Sequence, residues 1–257
     1  MARALITGGS SGIGAAFAKA LAARGDDLTL VARDAVRLEE FAAGLRAAHG
    51  VDVEVFPADL GVRADVSRVA ARLADDASPI DMLVNNAGFG IGVRLTADDL
   101  GAHEHAIDVM VRAVLILGGT AGRTMRARGH GAIVNISSVA GMLAMGGYSA
   151  IKAWVTAYSE SLAAELGGTG VTVTALLPGW VRTEFHDRAA INTTRLPGAA
   201  WVDADALVHD CLDDVAKGRV LSVPTVRYRA VTGLLRHAPR GLVRKVSTVI
   251  SSSRHQD

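Results

Sequence analysis

Residues 3–24 read Arg3-Ala4-Leu5-Ile6-Thr7-Gly8-Gly9-Ser10-Ser11-Gly12-Ile13-Gly14-Ala15-Ala16-Phe17-Ala18-Lys19-Ala20-Leu21-Ala22-Ala23-Arg24. The apolar run at 3–7 reads as a strand, the glycine-rich stretch as a turn, and 12–24 as a helix. Glycines here let the backbone bend sharply and come close to a ligand, while the helix aims its N-terminal N–H groups and positive dipole end at the same point. A pyrophosphate suits that environment, so Gly8, Ser10, Ser11, Gly12, Ile13 and Gly14 are candidate cofactor contacts. The spacing departs from G-x-G-x-x-G, and such a turn can also be only a turn. Its place between the first strand and first helix favours the dinucleotide.

Outward from this stretch, β-branched runs alternate with Ala/Leu-rich amphipathic ones. Strands are expected at 28–32, 51–56, 80–84, 131–136, 171–176 and 219–223, and helices near 34–48, 62–76, 98–127, 148–166 and 203–217. Met82-Leu83-Val84 and Ala132-Ile133-Val134 are unbroken apolar runs, as expected of strands covered on both faces. The reading is an α/β fold, a Rossmann-type doubly wound parallel sheet of about seven strands in a single domain. With 257 residues, half of them apolar, one such domain can bury a sizeable core. Residues 184–202 fit no element and are a candidate flap over a cleft. The single cysteine, Cys211, forms no internal disulfide and suits a reducing compartment as a buried thiol. No signal-peptide pattern opens the chain and no apolar run reaches membrane-span length, so the expectation is a cytoplasmic protein.

A net charge of +1 conceals an asymmetry. Residues 1–214 hold eighteen Lys/Arg against twenty-five Asp/Glu, whereas 215–257 hold nine against one, Asp257. The division is therefore 1–223, a dinucleotide-binding and catalytic domain, and 224–257, a basic extension. Val226, Ala230, Val231, Leu234, Leu235, Leu242, Val243, Val246 and Val249 fall mostly at helical spacing, interrupted near Pro239-Arg240-Gly241, so 225–250 should be amphipathic helix. It is expected to cover the cleft or a subunit interface, with an anionic membrane surface the less favoured alternative. No nucleic-acid-binding motif accompanies it.

The second strand bears on the choice of cofactor. It ends Leu30-Val31-Ala32 and is followed by Arg33, not by the acidic residue that would hold a ribose 2′-hydroxyl. Arg33 can pair with a 2′-phosphate, which favours NADP(H), although Asp34 stands next to it.

Further motifs sit at strand ends: Asn85-Asn86-Ala87-Gly88, Asn135-Ile136-Ser137-Ser138, Tyr148-Ser149-Ala150-Ile151-Lys152 and Pro178-Gly179-Trp180-Val181-Arg182-Thr183. With the glycine turn, in this order, the chain resembles the short-chain dehydrogenase/reductase family over roughly residues 3–185. The resemblance implies an NADP(H)-dependent oxidoreductase acting on a small molecule, without a metal. It further implies that Asp59 and Leu60 border the adenine, that Asn85, Ala87 and Gly88 support the central strand and cofactor, and that Pro178, Gly179, Val181 and Thr183 meet the nicotinamide carboxamide. It suggests a homodimer or homotetramer built on the helices near 98–127 and 148–166.

The Tyr148/Lys152 pair can be read from spacing alone. Positions four apart share a helix face, so the ammonium can lie near the phenol and is expected to lower its pKa toward the range of a general acid/base. Ser138 would donate to the substrate oxygen, with Ser137 as the next candidate. The resemblance adds that Lys152 holds the nicotinamide ribose. Two departures from the family pattern stand out. Met110 occupies the place of a helix asparagine that relays protons to the lysine, and the step from Ser138 to Tyr148 is short, which should open one side of the site. Met110 keeps a second reading alive, a non-catalytic NADP(H)-binding sensor or scaffold. Met142, Leu143, Met145, Phe89, Trp180, Phe185 and Trp201 suggest an apolar pocket for a ketone, aldehyde or ketoacyl group. His103, His105, His186 and His209 show no metal-binding spacing.

Overall fold

The computed structural model describes residues 2–183 and 198–252. Its strands are β1 (Arg3–Thr7), β2 (Asp27–Ala32), β3 (Val53–Pro57), β4 (Met82–Asn85), β5 (Gly131–Ile136), β6 (Val171–Leu176), β7 (Trp180–Val181), β8 (Trp201–Val202) and β9 (Leu221–Ser222). Its helices are α1 (Gly12–Ala23), α2 (Ala35–His49), α3 (Arg63–Leu73), α4 (Gly101–Ile107), α5 (Ala113–Arg128), α6 (Gly147–Glu165), α7 (Ala204–Ala216), α8 (Val226–His237) and α9 (Arg240–Ser252).

Successive side chains of β1 enter two different cores, because a strand has a side-chain period of two. Ala4 and Ile6 pack with Phe17 of α1, Leu38 of α2 and Leu207 of α7. Leu5 packs on the other face with Val66 of α3, Leu117 of α5 and Ile151 of α6. Burial on both faces is why these strands read as continuous apolar runs. Local chemistry sets the helix ends. Asp34 caps α2 by accepting from the Arg37 N–H at 3.0 Å, Gly50 closes it with φ +68°, and Asp203 caps α7.

Seven parallel strands run in the order β3-β2-β1-β4-β5-β6-β9, and β7 and β8 form a separate parallel pair. The winding reverses between β1 and β4, so a crevice opens beyond their C-terminal ends. The glycine turn and Asn86–Gly88 both leave from those two ends.

The expected strands and helices are all present, with small shifts at their ends. The edge strand at 219–223 shrinks to Leu221–Ser222, and the β7/β8 pair was not expected. The basic extension forms two helices, α8 and α9, separated at Ala238-Pro239 as the proline suggests. Of the unplaced stretch, 198–202 contribute a short 3-10 turn and β8, and the proposed flap at 184–197 lies outside the described residues. Cys211 is fully buried, and burial pushes its thiol up to about 12.

One expectation needs correction. α4 and α5 join through a π-helical turn, Asp108–Arg112, into a continuous helix, Gly101–Arg128, that is long and apolar enough to cross a membrane. More than half of its apolar window is buried against the sheet and α3, as befits a core helix. Charged residues such as Asp108, Arg112 and Arg123 interrupt it, so it contains no unbroken apolar run of that length.

Candidate active site

The glycine turn is held from β1 and β4. The Thr7 hydroxyl donates to the Val84 carbonyl (3.3 Å) and accepts from the Asn86 and Ala87 N–H groups (2.9 and 3.1 Å). Asn86 Nδ2 returns hydrogen bonds to the Thr7 and Gly8 carbonyls at 2.9 and 3.2 Å. Neither Thr7 nor Asn86 was singled out by sequence, yet both fix the crevice floor. Gly12 sits at φ +54°, and a β-carbon at Gly14 would lie 2.3 Å from the Gly8 carbonyl oxygen, so only glycine fits there. Ser11 caps α1 without a side-chain hydrogen bond, and the first turn of α1 holds no acid. This cradle fits a pyrophosphate: glycines bring the backbone close, and the N-terminus of α1, with no acid in its first turn, opens onto it. Thr183 reaches over from the segment after β7, its Cβ 3.4 Å from where a Gly12 β-carbon would stand.

At the rim, Arg33 is exposed and has no ion pair among the described residues. The Asp34 carboxylate is engaged as the α2 cap. Asp59 accepts from the Gly61 N–H (2.8 Å), while the Leu60 side chain is buried in the core, which leaves only its backbone for a ligand. His105 and Arg112 grip this turn: the His105 ring abuts Gly61, and Arg112 donates to the Gly61 carbonyl at 2.9 Å.

Asn85 lies inside the sheet layer. Its amide donates to Asn135 Oδ1 (2.9 Å), and Asn135 in turn donates to Ser159 of α6 (2.9 Å), linking β4, β5 and α6.

The two serines after β5 separate cleanly. Ser137 is buried, donates to the Lys152 carbonyl (2.7 Å) and meets the Thr156 hydroxyl (2.7 Å), so it fastens the loop to α6. Ser138 caps the 3-10 turn Val139–Met142, accepting from the Ala140 N–H at 3.1 Å and donating to the Pro178 carbonyl at 3.5 Å, and its side chain bears on the Tyr148 phenol of α6. Lys152 shares this face of α6; its Nζ lies 5.6 Å from the Tyr148 ring centroid and donates to the Ile136 carbonyl at 2.8 Å.

The expected lowering of the phenol pKa is not found. Burial pushes Tyr148 up to about 12, against the opposing hydrogen bond from Ser138, and lowers Lys152 to about 8. Desolvation is the largest cause for both groups, and the Lys152 ammonium donates to the Ile136 carbonyl. At neutral pH the pair is a protonated phenol beside an ammonium, suited to giving a proton to an oxygen that is gaining negative charge.

Met110 lies in the π turn, 1% exposed. Its sulfur is 3.0 Å, and Lys152 Nζ 3.7 Å, from the point where a Gly88 β-carbon would stand. The thioether therefore occupies the space beside the lysine and offers it no proton relay. Met110→Asn should cost about 1–3 kcal/mol of stability, since it buries an amide in an apolar cluster. A denaturant titration checks this, and an unchanged midpoint would show that the amide finds a partner, with Lys152 the nearest one.

The shortened Ser138–Tyr148 loop is not left open. Gly141 lies against the α6 backbone, and the Ala144 N–H donates to Ser247 of α9 at 2.9 Å. Tyr228 of α8 lays its ring on Gly179, accepts from the Trp180 N–H (3.1 Å) and donates to the Ala200 carbonyl (2.7 Å). Pro178 accepts from the Val139 N–H at 3.0 Å, and the Val181 side chain is buried in the core. The C-terminal helices thus hold both the serine loop and the 178–181 segment. Tyr228 and Ser247 carry no local signal that would have revealed it.

Of the expected pocket residues, Trp180 and Trp201 meet edge to face at 6.1 Å, Phe89 stacks on His105, and Met142 packs toward α8. Phe185 lies outside the described residues.

The family described as short chain dehydrogenase matches residues 2–193. An uncharacterised oxidoreductase of Mycobacterium tuberculosis is 38% identical over 206 residues, covering 78% of this chain and 81% of that protein. A short-chain dehydrogenase from Sphingobium yanoikuyae, solved in complex with NADPH, superposes with a TM-score of 0.85 at 38% identity, covering 94% and 95% of the two chains. A bulky-bulky ketone specific alcohol dehydrogenase from Comamonas testosteroni superposes with a TM-score of 0.79 at 33% identity, covering 93% and 96%.

Proposed function

The chain belongs to the short-chain dehydrogenase family and is an oxidoreductase, and from that premise we propose that it is an NADP(H)-dependent carbonyl reductase for lipophilic substrates, with Tyr148 as the proton donor. The observation that carries the reading is Lys152 on the same face of α6 as Tyr148, its Nζ 5.6 Å from the phenol ring centroid. The NADPH-bound and bulky-ketone relatives support the choice of cofactor and substrate.

NADPH held in the cradle would supply the hydride for the carbonyl carbon. Gly8, Ser10, Ser11, Gly12, Ile13 and Gly14 would receive the pyrophosphate, Arg33 the 2′-phosphate, and Asp59 with the Leu60 backbone the adenine. Ala87 and Gly88 would stand beside the cofactor, with Asn85 supporting them from within the sheet. Pro178, Gly179, Val181 through its backbone and Thr183 would orient the nicotinamide. Tyr148 passes its proton to the carbonyl oxygen, Ser138 holds that oxygen by a hydrogen bond, and the Lys152 ammonium favours the phenolate that results. A phenol that keeps its proton well above neutral pH favours reduction over alcohol oxidation. Ile107 and Leu115, exposed along Gly101–Arg128, support a homodimer or homotetramer through that helix.

The test is NADPH oxidation against a panel of ketones, aldehydes and ketoacyl thioesters, from small to bulky. Turnover should be highest with ketones flanked by two apolar groups. Tight NADPH binding without turnover on any of them would instead favour the sensor or scaffold that Met110 suggests.

A further inference from the structure

The C-terminal helices present a surface that the candidate site does not use. The inner side of α8 carries Tyr228, Thr232 and Leu235, which pack on the body. At about 100° per residue, Val226, Ala230 and Leu234 fall on the opposite side, and Val226 and Leu234 are 77% and 74% exposed. Leu242 at the start of α9 is 55% exposed. A helix that already buries one apolar side does not need a second one in order to fold. The outer stripe is flanked by Arg227 on one side and by Arg229 and Arg236 on the other. α9 adds Arg240, Arg244 and Lys245; all six cations are exposed, and residues 226–252 contain no Asp or Glu. Arg236 meets Glu160 of α6 at 3.2 Å.

We infer that this outer face of α8 and α9 docks on an anionic lipid surface. The stripe enters the boundary between head groups and acyl chains, and the flanking arginines reach the phosphates with their stems along the apolar layer. A two-fold contact between copies through the same face would set the cations of one copy, Arg240, Arg244 and Lys245 among them, against those of the other and be repelled. A nucleic acid would satisfy the cations and leave the exposed valine and leucine in water. Only a charged bilayer answers both features of the face.

The full chain is sedimented with vesicles of phosphatidylcholine alone or mixed equally with phosphatidylglycerol, without substrate, so the result is independent of the reductase reading. Binding is expected on the mixed vesicles at least tenfold tighter than on the neutral ones. Val226→Asp with Leu234→Asp should abolish it while the thermal midpoint and NADPH affinity hold. Arg240→Gln, Arg244→Gln and Lys245→Gln together, which leave the stripe intact, should weaken it about a hundredfold, at about fivefold per charge. The inference is overturned if the wild type ignores the mixed vesicles, binds both kinds equally, or binds unchanged after either set of substitutions. Failure to bind lipid, together with a fall in particle mass in the Val226→Asp, Leu234→Asp protein, would assign the stripe to contact between copies.

Discussion

Tyr148→Phe is expected to lower kcat for carbonyl reduction by about 10²–10⁴-fold, the range for losing a positioned general acid, with NADPH affinity nearly unchanged. The substitution removes only the hydroxyl that bonds to Ser138, and the ring keeps its packing against the core cluster of α5 and α6. Steady-state rates and fluorescence titration of NADPH separate the two effects. A Tyr148→Phe protein with wild-type turnover would refute the mechanism. The wild-type pH profile is a companion measurement. Tyr148, pushed up to about 12, stays protonated through neutral pH, whereas Lys152, lowered to about 8, loses its charge as pH rises through that value. The reduction rate should therefore hold below about pH 8 and decline above it, with the lysine and not the tyrosine setting the limb.

Arg33→Ala should weaken NADPH binding about 10- to 150-fold, equivalent to about 1.5–3 kcal/mol for a charge-assisted pair, and leave NADH binding unchanged. Two features of the rim support this magnitude. Arg33 has no ion pair among the described residues that would compete for it, and the neighbouring Asp34 carboxylate is committed to the Arg37 N–H as the cap of α2. Titrating both cofactors against both proteins checks it. Equal wild-type affinities for NADPH and NADH would overturn the choice of NADP(H).

Much of the site was legible because its parts lie on short, ordered stretches of chain. The glycine turn, Arg33 after β2, and the Tyr148/Lys152 spacing on α6 each follow from a local period or a local backbone demand. Other features were not legible at that level. Asp34 beside Arg33 looked like a competing charge until its carboxylate was seen capping α2. Leu60 and Val181 were marked as cofactor contacts, yet both side chains face the core and only their backbones remain available. The short loop after Ser138 suggested an opening, because nothing near it in sequence shows that Ser247 binds it from 103 residues away.

The sequence by itself determined the order of strands and helices, the doubly wound sheet and the break at Pro239, since periodicity, glycine and proline act within a few residues. Only the tertiary structure decided which of Ser137 and Ser138 faces the phenol, that Tyr228 bridges Trp180 and Ala200, and that Met110 lies beside Lys152 under Gly88. It also reversed the expected direction of the Tyr148 pKa. Spacing brings an ammonium to the same helix face as a phenol, but it says nothing of how much water the fold removes from either group. Desolvation is a property of everything packed around the pair, and for Tyr148 it outweighs the hydrogen bond from Ser138.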